Sequence, residues 1–82
     1  MEADKGYEFR LNFGQVVRKY RQMKGFSQEE LADRCNLHRT YISDVERGLK
    51  AMSLVSLLRI AKALEVPAHI LVKEAESPGS EE

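Results

Sequence analysis

Arg39, Ser43 and Arg47 stand at i, i+4 and i+8, with Thr40 and Asp44 beside them. On a helix this spacing gathers the first three on one face, and the chemistry they share is hydrogen bonding to flat polar edges. An arginine fork matches the O6 and N7 acceptors of guanine, hydroxyls suit donors and acceptors alike, and a carboxylate accepts from the cytosine amino group. A helix that is merely solvated more often carries Glu and Lys in i, i+4 register. Asp44 has a second use, an ion pair with Arg47 or another Arg, and because its charge opposes phosphate the pairing is preferred. Catalytic chemistry finds no such constellation. His38 and His69 lack triad or metal partners at a useful spacing, there is no phosphate loop, and Cys35 has no identifiable base. No catalytic residue, metal or cofactor is therefore expected. Cys35, which has no second cysteine to pair with, reads as a small buried apolar side chain in a reducing cytoplasm.

The elements that would position these groups are marked by helix caps. Four apolar pairs have the spacing of a hydrophobic staple: Phe26 with Leu31, Leu37 with Ile42, Met52 with Leu57, and Val66 with Leu71. Ser27 and Glu30 form an S-x-x-E capping box, so one helix runs from about Gln28 to Cys35 and stops at Asn36, a residue that tolerates the left-handed conformation. Leu37 turns inward and the next helix begins near Arg39, ending at Gly48, with Ile42 and Val45 on its inner face. Ser53 caps LVSLLRIAKAL, in which Leu54, Leu57, Leu58, Ala61 and Leu64 keep helical spacing, and Pro67 opens a short last helix, AHILVK. Upstream, Phe13, Val16, Val17 and Tyr20 recur with helical period between about Asn12 and Lys24, whereas Tyr7 to Leu11 reads as a short extended arm. The sum is an all-α chain of five helices. Residues 1–10 are assigned to an N-terminal arm, 11–74 to one domain and 75–82 to an acidic, disordered tail.

Size and charge set the bounds. A chain of 82 residues holds one domain, with little room for an enzyme's pocket. No apolar run approaches the ~20 residues of a membrane helix, and the charged N-terminus does not read as a signal peptide. Thirteen basic and thirteen acidic residues cancel, but unevenly: Arg10 to Lys73 holds 12 Lys and Arg against 6 Asp and Glu, a balance of +6. A basic body between acidic ends suits a polyanionic partner.

Two short helices joined by Asn36-Leu37-His38 must cross steeply, so that the first braces the second as it projects into a groove. The segment SQEELADRCNLHRTYISDVERG, Ser27 to Gly48, resembles the helix-turn-helix of the Cro and phage-repressor-like (Xre) family. The likeness extends from Phe13 to about Val72 and includes Leu37 in the turn, the E-R-G ending and the AKALEV segment; RTYIS and the small size resemble the controller proteins of restriction-modification systems. The resemblance implies a five-helix, lambda-repressor-like fold and a regulator that binds a palindromic DNA operator as a homodimer and regulates its own gene. It also implies roles. Arg39, Thr40, Ser43 and Asp44 would read bases; Gln28, Tyr41 and Arg47 would lie against the sugar-phosphate backbone; Arg21 and Glu46 would form a structural ion pair. His38 departs from the family's usual Ser, Thr or Gly and is expected to act as a local cap.

The partners expected are double-stranded DNA and a second copy of the chain, with no membrane. Leu64, Val66, Ile70, Leu71 and Val72 offer more apolar surface than so short a last helix can bury, and are assigned to the dimer interface. Two other readings compete: an antitoxin-type repressor that also grips a protein toxin, for which a longer partner-binding segment is expected, and a protein-interaction module without DNA binding, for which the helix that begins near Arg39 would lack Arg39 and Arg47.

Overall fold

The computed structural model describes residues 4–77, which form five helices: α1 (Asp4–Met23), α2 (Gln28–Cys35), α3 (Arg39–Glu46), α4 (Leu54–Leu64) and α5 (Ala68–Glu76). The all-α architecture is the expected one. Local chemistry explains most of the boundaries. The Ser27 hydroxyl accepts from the Glu30 amide at 2.9 Å and starts α2, and Asn36, at φ 60° and ψ 46°, ends it. Only half of the capping box is made, because the Glu30 carboxylate turns away to accept from Arg34 at 3.1 Å. Ser53 accepts from the Ser56 amide at 3.0 Å and starts α4.

Three expectations need correction. The segment Tyr7 to Leu11 is helical, because α1 begins at Asp4 and the arm assigned to residues 1–10 is largely its first turns. Phe9 stacks on Phe13 one turn later, with ring centroids 6.0 Å apart, and Arg10 lies over the Tyr7 ring. Such i, i+4 and i, i+3 pairs continue a helix across a segment that lacks the core periodicity of the stretch from Phe13 to Tyr20. At the other end, α5 runs through Glu76 with Ala75 buried, so the tail cannot begin at residue 75; its expected disorder falls on residues 78–82, outside the described residues. His38 occupies the N-cap of α3, yet its side chain makes no capping hydrogen bond.

The core joins all five helices through Val17, Leu31, Ile42, Val45, Ile60, Leu64 and Leu71, the largest fully or almost fully buried side chains. In α4 the inward stripe is Leu57, Ile60, Ala61 and Leu64, spaced i, i+3, i+4 and i+7. Leu54 and Leu58 belong to another stripe with Val55, and these three are 79%, 61% and 59% exposed in the order Leu54, Leu58, Val55. Close approach of α1 to the end of α3 depends on Gly14. A Cβ there would strike the carbonyl oxygens of Val45 and Glu46, so this glycine is a packing requirement within a helix. Gly48, at φ +77°, ends the α3 region against Leu11.

Candidate nucleic-acid interface

The brace of α3 is an ionic network rather than a single pair. Arg21 Nε donates to Glu46 Oε2 at 2.6 Å and Nη2 donates to Oε1 at 3.0 Å, while Nη1 donates to the Phe26 carbonyl at 2.8 Å. Gln28 Nε2 adds a fourth bond, to Glu46 Oε1 at 3.0 Å. One carboxylate at the last residue of α3 thus holds the end of α1 and the first residue of α2. Both charged partners are buried, and among the described residues no buried side-chain nitrogen or oxygen lacks a hydrogen bond. A bidentate pair of this kind keeps its geometry, and losing one partner costs about 3–5 kcal/mol because the other charge is left buried.

With its last residue clamped and Ile42 and Val45 in the core, α3 has one orientation and one outward face. On that face Arg39 and Thr40 are exposed, and Tyr41 and Ser43 are half-buried. None of these four side chains makes a hydrogen bond or ion pair among the described residues. Asp44 and Arg47 pair with each other at 3.0 Å, one turn apart. The Asp44 carboxylate is therefore partly neutralised on the molecule itself. Because His38 supplies no side-chain cap, the first amides of α3 have no capping acceptor. Such amides, at the positive end of the helix dipole, suit an anion.

The assigned residues thus fall into distinct groups. Arg39, Thr40, Tyr41, Ser43, Asp44 and Arg47 share α3 or its C-terminal end, and Gln28 joins them through Glu46. Sequence reasoning missed this last link, since the Gln28 amide was assigned only to phosphate; the signal was the proximity that an Arg21 to Glu46 pair forces on the start of α2. The apolar residues assigned to a partner chain do not stay together. Leu64 and Leu71 are buried inside this chain, so neither is available to a second one, whereas Val66, Ile70 and Val72 are half-buried. Leu54, Val55 and Leu58 of α4 make an exposed apolar stripe instead, while Tyr7, Met23 and Leu49 are exposed elsewhere on the molecule. Cys35 is buried, and burial pushes its thiol up to about 11, with Arg59 pulling slightly the other way. Among the described residues no cluster of His, Cys, Asp or Glu could hold a metal, and no helix is long and apolar enough to cross a membrane.

Comparison with known proteins identifies the family. A helix-turn-helix family profile matches residues 17–71. The control protein C.BamHI of Bacillus amyloliquefaciens is 57% identical over 58 residues, which cover 70% of this chain and 72% of that one. The restriction-modification controller protein C.AhdI from Aeromonas hydrophila superposes with a TM-score of 0.73 at 44% identity, covering 74% of this chain and 92% of that one. The master regulator for biofilm formation SinR, solved in complex with DNA, superposes with a TM-score of 0.71 at 34% identity, covering 73% and 97% respectively. These relatives are helix-turn-helix regulators of transcription and not enzymes.

Proposed function

Because this chain belongs to the Xre-type helix-turn-helix family, we propose that it is a cytoplasmic, sequence-specific transcriptional regulator that binds a near-palindromic operator as a homodimer. The observation that carries this reading is the outward face of α3. Arg39 and Thr40 stand exposed and unpaired on it, while its inner face and its last residue are locked to the rest of the molecule. A rigid helix with free forked and hydroxyl donors is what direct readout of a major groove needs. Arg39, Thr40 and Ser43 read bases, and Asp44 limits which arrangement Arg47 adopts. Gln28, Tyr41 and Arg47 engage the backbone, supported by the uncapped amides at the start of α3.

Two copies joined through the exposed α4 face, Leu54, Val55 and Leu58, with Val66, Ile70 and Val72 at its margin, form a two-fold dimer. Their recognition helices then lie one DNA turn apart, ~34 Å, and the operator mirrors the symmetry of the protein. Autoregulation, as proposed for a protein similar to the controllers C.BamHI and C.AhdI, requires that the operator lie ahead of the chain's own gene. Occupancy is then set by protein concentration through the monomer-dimer equilibrium. A gel-shift titration of the duplex immediately upstream of the encoding gene tests the reading. Retention of that duplex against excess scrambled competitor is expected. Equal affinity for both duplexes would reject sequence-specific regulation from that site.

A further inference from the structure

The first half of α1 rests on the end of the recognition helix. Gly14 lies against the Val45 and Glu46 carbonyls, Leu11 against Gly48, and Arg10 Nε donates to the Gly48 carbonyl at 3.3 Å. Gly48 directly follows Arg47, so Arg10 Nε stands within about 10 Å of the Arg47 Cα. The guanidinium also lies over the Tyr7 ring, 5.6 Å from its centroid. Arg21, Arg34 and Arg47 are held as well, but each against a carboxylate, that of Glu46, Glu30 and Asp44 respectively. Arg10 is held without one: its terminal nitrogens make no hydrogen bond or ion pair among the described residues. Both remain as an end-on fork, a geometry that grips two oxygens of one phosphate.

We propose that Arg10, set in place by Tyr7 and Gly48, is a further contact to the DNA backbone and grips a phosphate neighbouring the one assigned to Arg47. This contact rests on the DNA-binding reading and extends its footprint from α2 and α3 to the early turns of α1. A cation already fixed in the free protein loses little side-chain freedom when it meets its anion. A phosphate carries no sequence information, so Arg10 raises affinity and salt dependence on every duplex and leaves base choice to Arg39, Thr40 and Ser43. The end of α3 is then bracketed by two arginines, one at its own C-terminus and one from α1.

The test is a set of salt titrations of the full chain on the duplex upstream of its gene and on a scrambled duplex, with thermal melts to verify folding. Arg10→Gln should weaken binding to both duplexes alike, by roughly three- to tenfold, and flatten the slope of log affinity against log salt about as much as Arg47→Ala does. Arg10→Lys keeps the charge and should keep the native slope. Arg10→Gln with Arg47→Ala should be flatter than either single variant, by roughly the sum of the two changes. Tyr7→Leu leaves Arg10 in place and keeps the test readable if Arg10→Gln does not fold. It should retain the native slope while losing roughly twofold to threefold in affinity on both duplexes, because the guanidinium must then be ordered on binding. A slope unchanged by Arg10→Gln, or an affinity unchanged by Tyr7→Leu, would overturn the proposal. So would a double variant no flatter than Arg47→Ala alone, which would make Arg10 a support for Arg47. Native binding with a slope indifferent to Arg10 removes only this contact, whereas a native chain that retains neither duplex removes the DNA-binding reading with it.

Discussion

Arg39 and Gln28 each begin a helix, yet their electrostatic settings differ. Arg39 is exposed and unpaired, whereas the Gln28 amide is half-buried and donates to Glu46. Arg39→Ala is therefore expected to lower affinity for the operator by roughly tenfold or more while changing affinity for scrambled DNA little. Gln28→Ala should weaken both about equally and also cost about 1 kcal/mol of stability, because Glu46 loses a donor. Arg47→Ala should flatten the slope of log affinity against log salt by roughly one unit, the change that loss of its proposed phosphate contact would give. Titrations of the three variants on both duplexes at several salt concentrations decide this; equal losses on the two duplexes for Arg39→Ala would make it a positioning residue. A second prediction concerns pH. The hydrogen bonds from Lys19 and Tyr20 hold the Glu74 carboxyl below its ordinary 4.5, and the same Glu74 bond, with burial, raises Tyr20 above 10.0. Burial raises Cys35 from 9.0 to about 11. A lowered carboxyl contributes stability that is present above its ordinary value and lost as pH falls through the lowered one; the raised groups contribute stability present below their ordinary values and lost as pH rises through the raised ones. Thermal melts should therefore show stability falling on the acid and the alkaline side. Glu74→Gln should make both limbs shallower, and acid melts parallel to those of the native chain would reject the Glu74 contribution.

At the level of elements, Gly14 gives the sharpest test. Alanine in place of glycine favours a helix interior by about 1 kcal/mol, but here the added methyl meets the Val45 and Glu46 carbonyls. Gly14→Ala should destabilise by about 1–3 kcal/mol, as overpacking does, read as a lower urea midpoint with unchanged slope. A neutral or stabilised variant would mean that α1 can move off α3 freely. The same residue shows why the fold was only partly legible in the sequence. The start of α2, its end at Asn36 and the start of α4 are contacts between residues three or four apart, and Ser27, Asn36 and Ser53 announce them. The early turns of α1 carry Phe9, which stacks on Phe13 from outside the core stripe, so a periodicity counted from the core residues begins too late. In α4, Leu54, Val55 and Leu58 are as apolar as the residues that face inward; which stripe is covered depends on what α1, α2 and α5 place opposite it. His38 sits where a capping side chain belongs, and its residue type could not reveal that the imidazole makes no such bond. For the candidate interface, the shared face of Arg39, Ser43 and Arg47 and the pairing of Asp44 come from helical spacing alone, whereas the bond from Gln28 to Glu46 exists only once three helices meet.

For the whole molecule, the exposed stripe on α4 is the face assigned to the proposed dimer. Leu54→Asp with Leu58→Asp is expected to give monomers of unchanged helicity and to lose tight operator binding, because these side chains are exposed and their replacement leaves the core intact. Sedimentation that still showed a dimer would move the contact to Ile70 and Val72. The pairing of the first helix with the last bears on how such a chain comes into being. Tyr20 on α1 reaches Glu74 on α5 across 54 residues, and Leu71 and Ala75 complete the core that Phe13, Val16 and Val17 begin. These contacts are distant in sequence, so their loop-closure entropy is met only once α5 has been made. During synthesis the recognition helix is made well before the helix that closes the core beneath it. A nascent chain that stops before Leu71 should therefore remain sensitive to protease and fail to hold DNA. Pulse proteolysis of chains arrested at successive lengths should show resistance appearing abruptly once Ala75 is included; resistance at shorter lengths would mean that the first four helices close a core without the fifth.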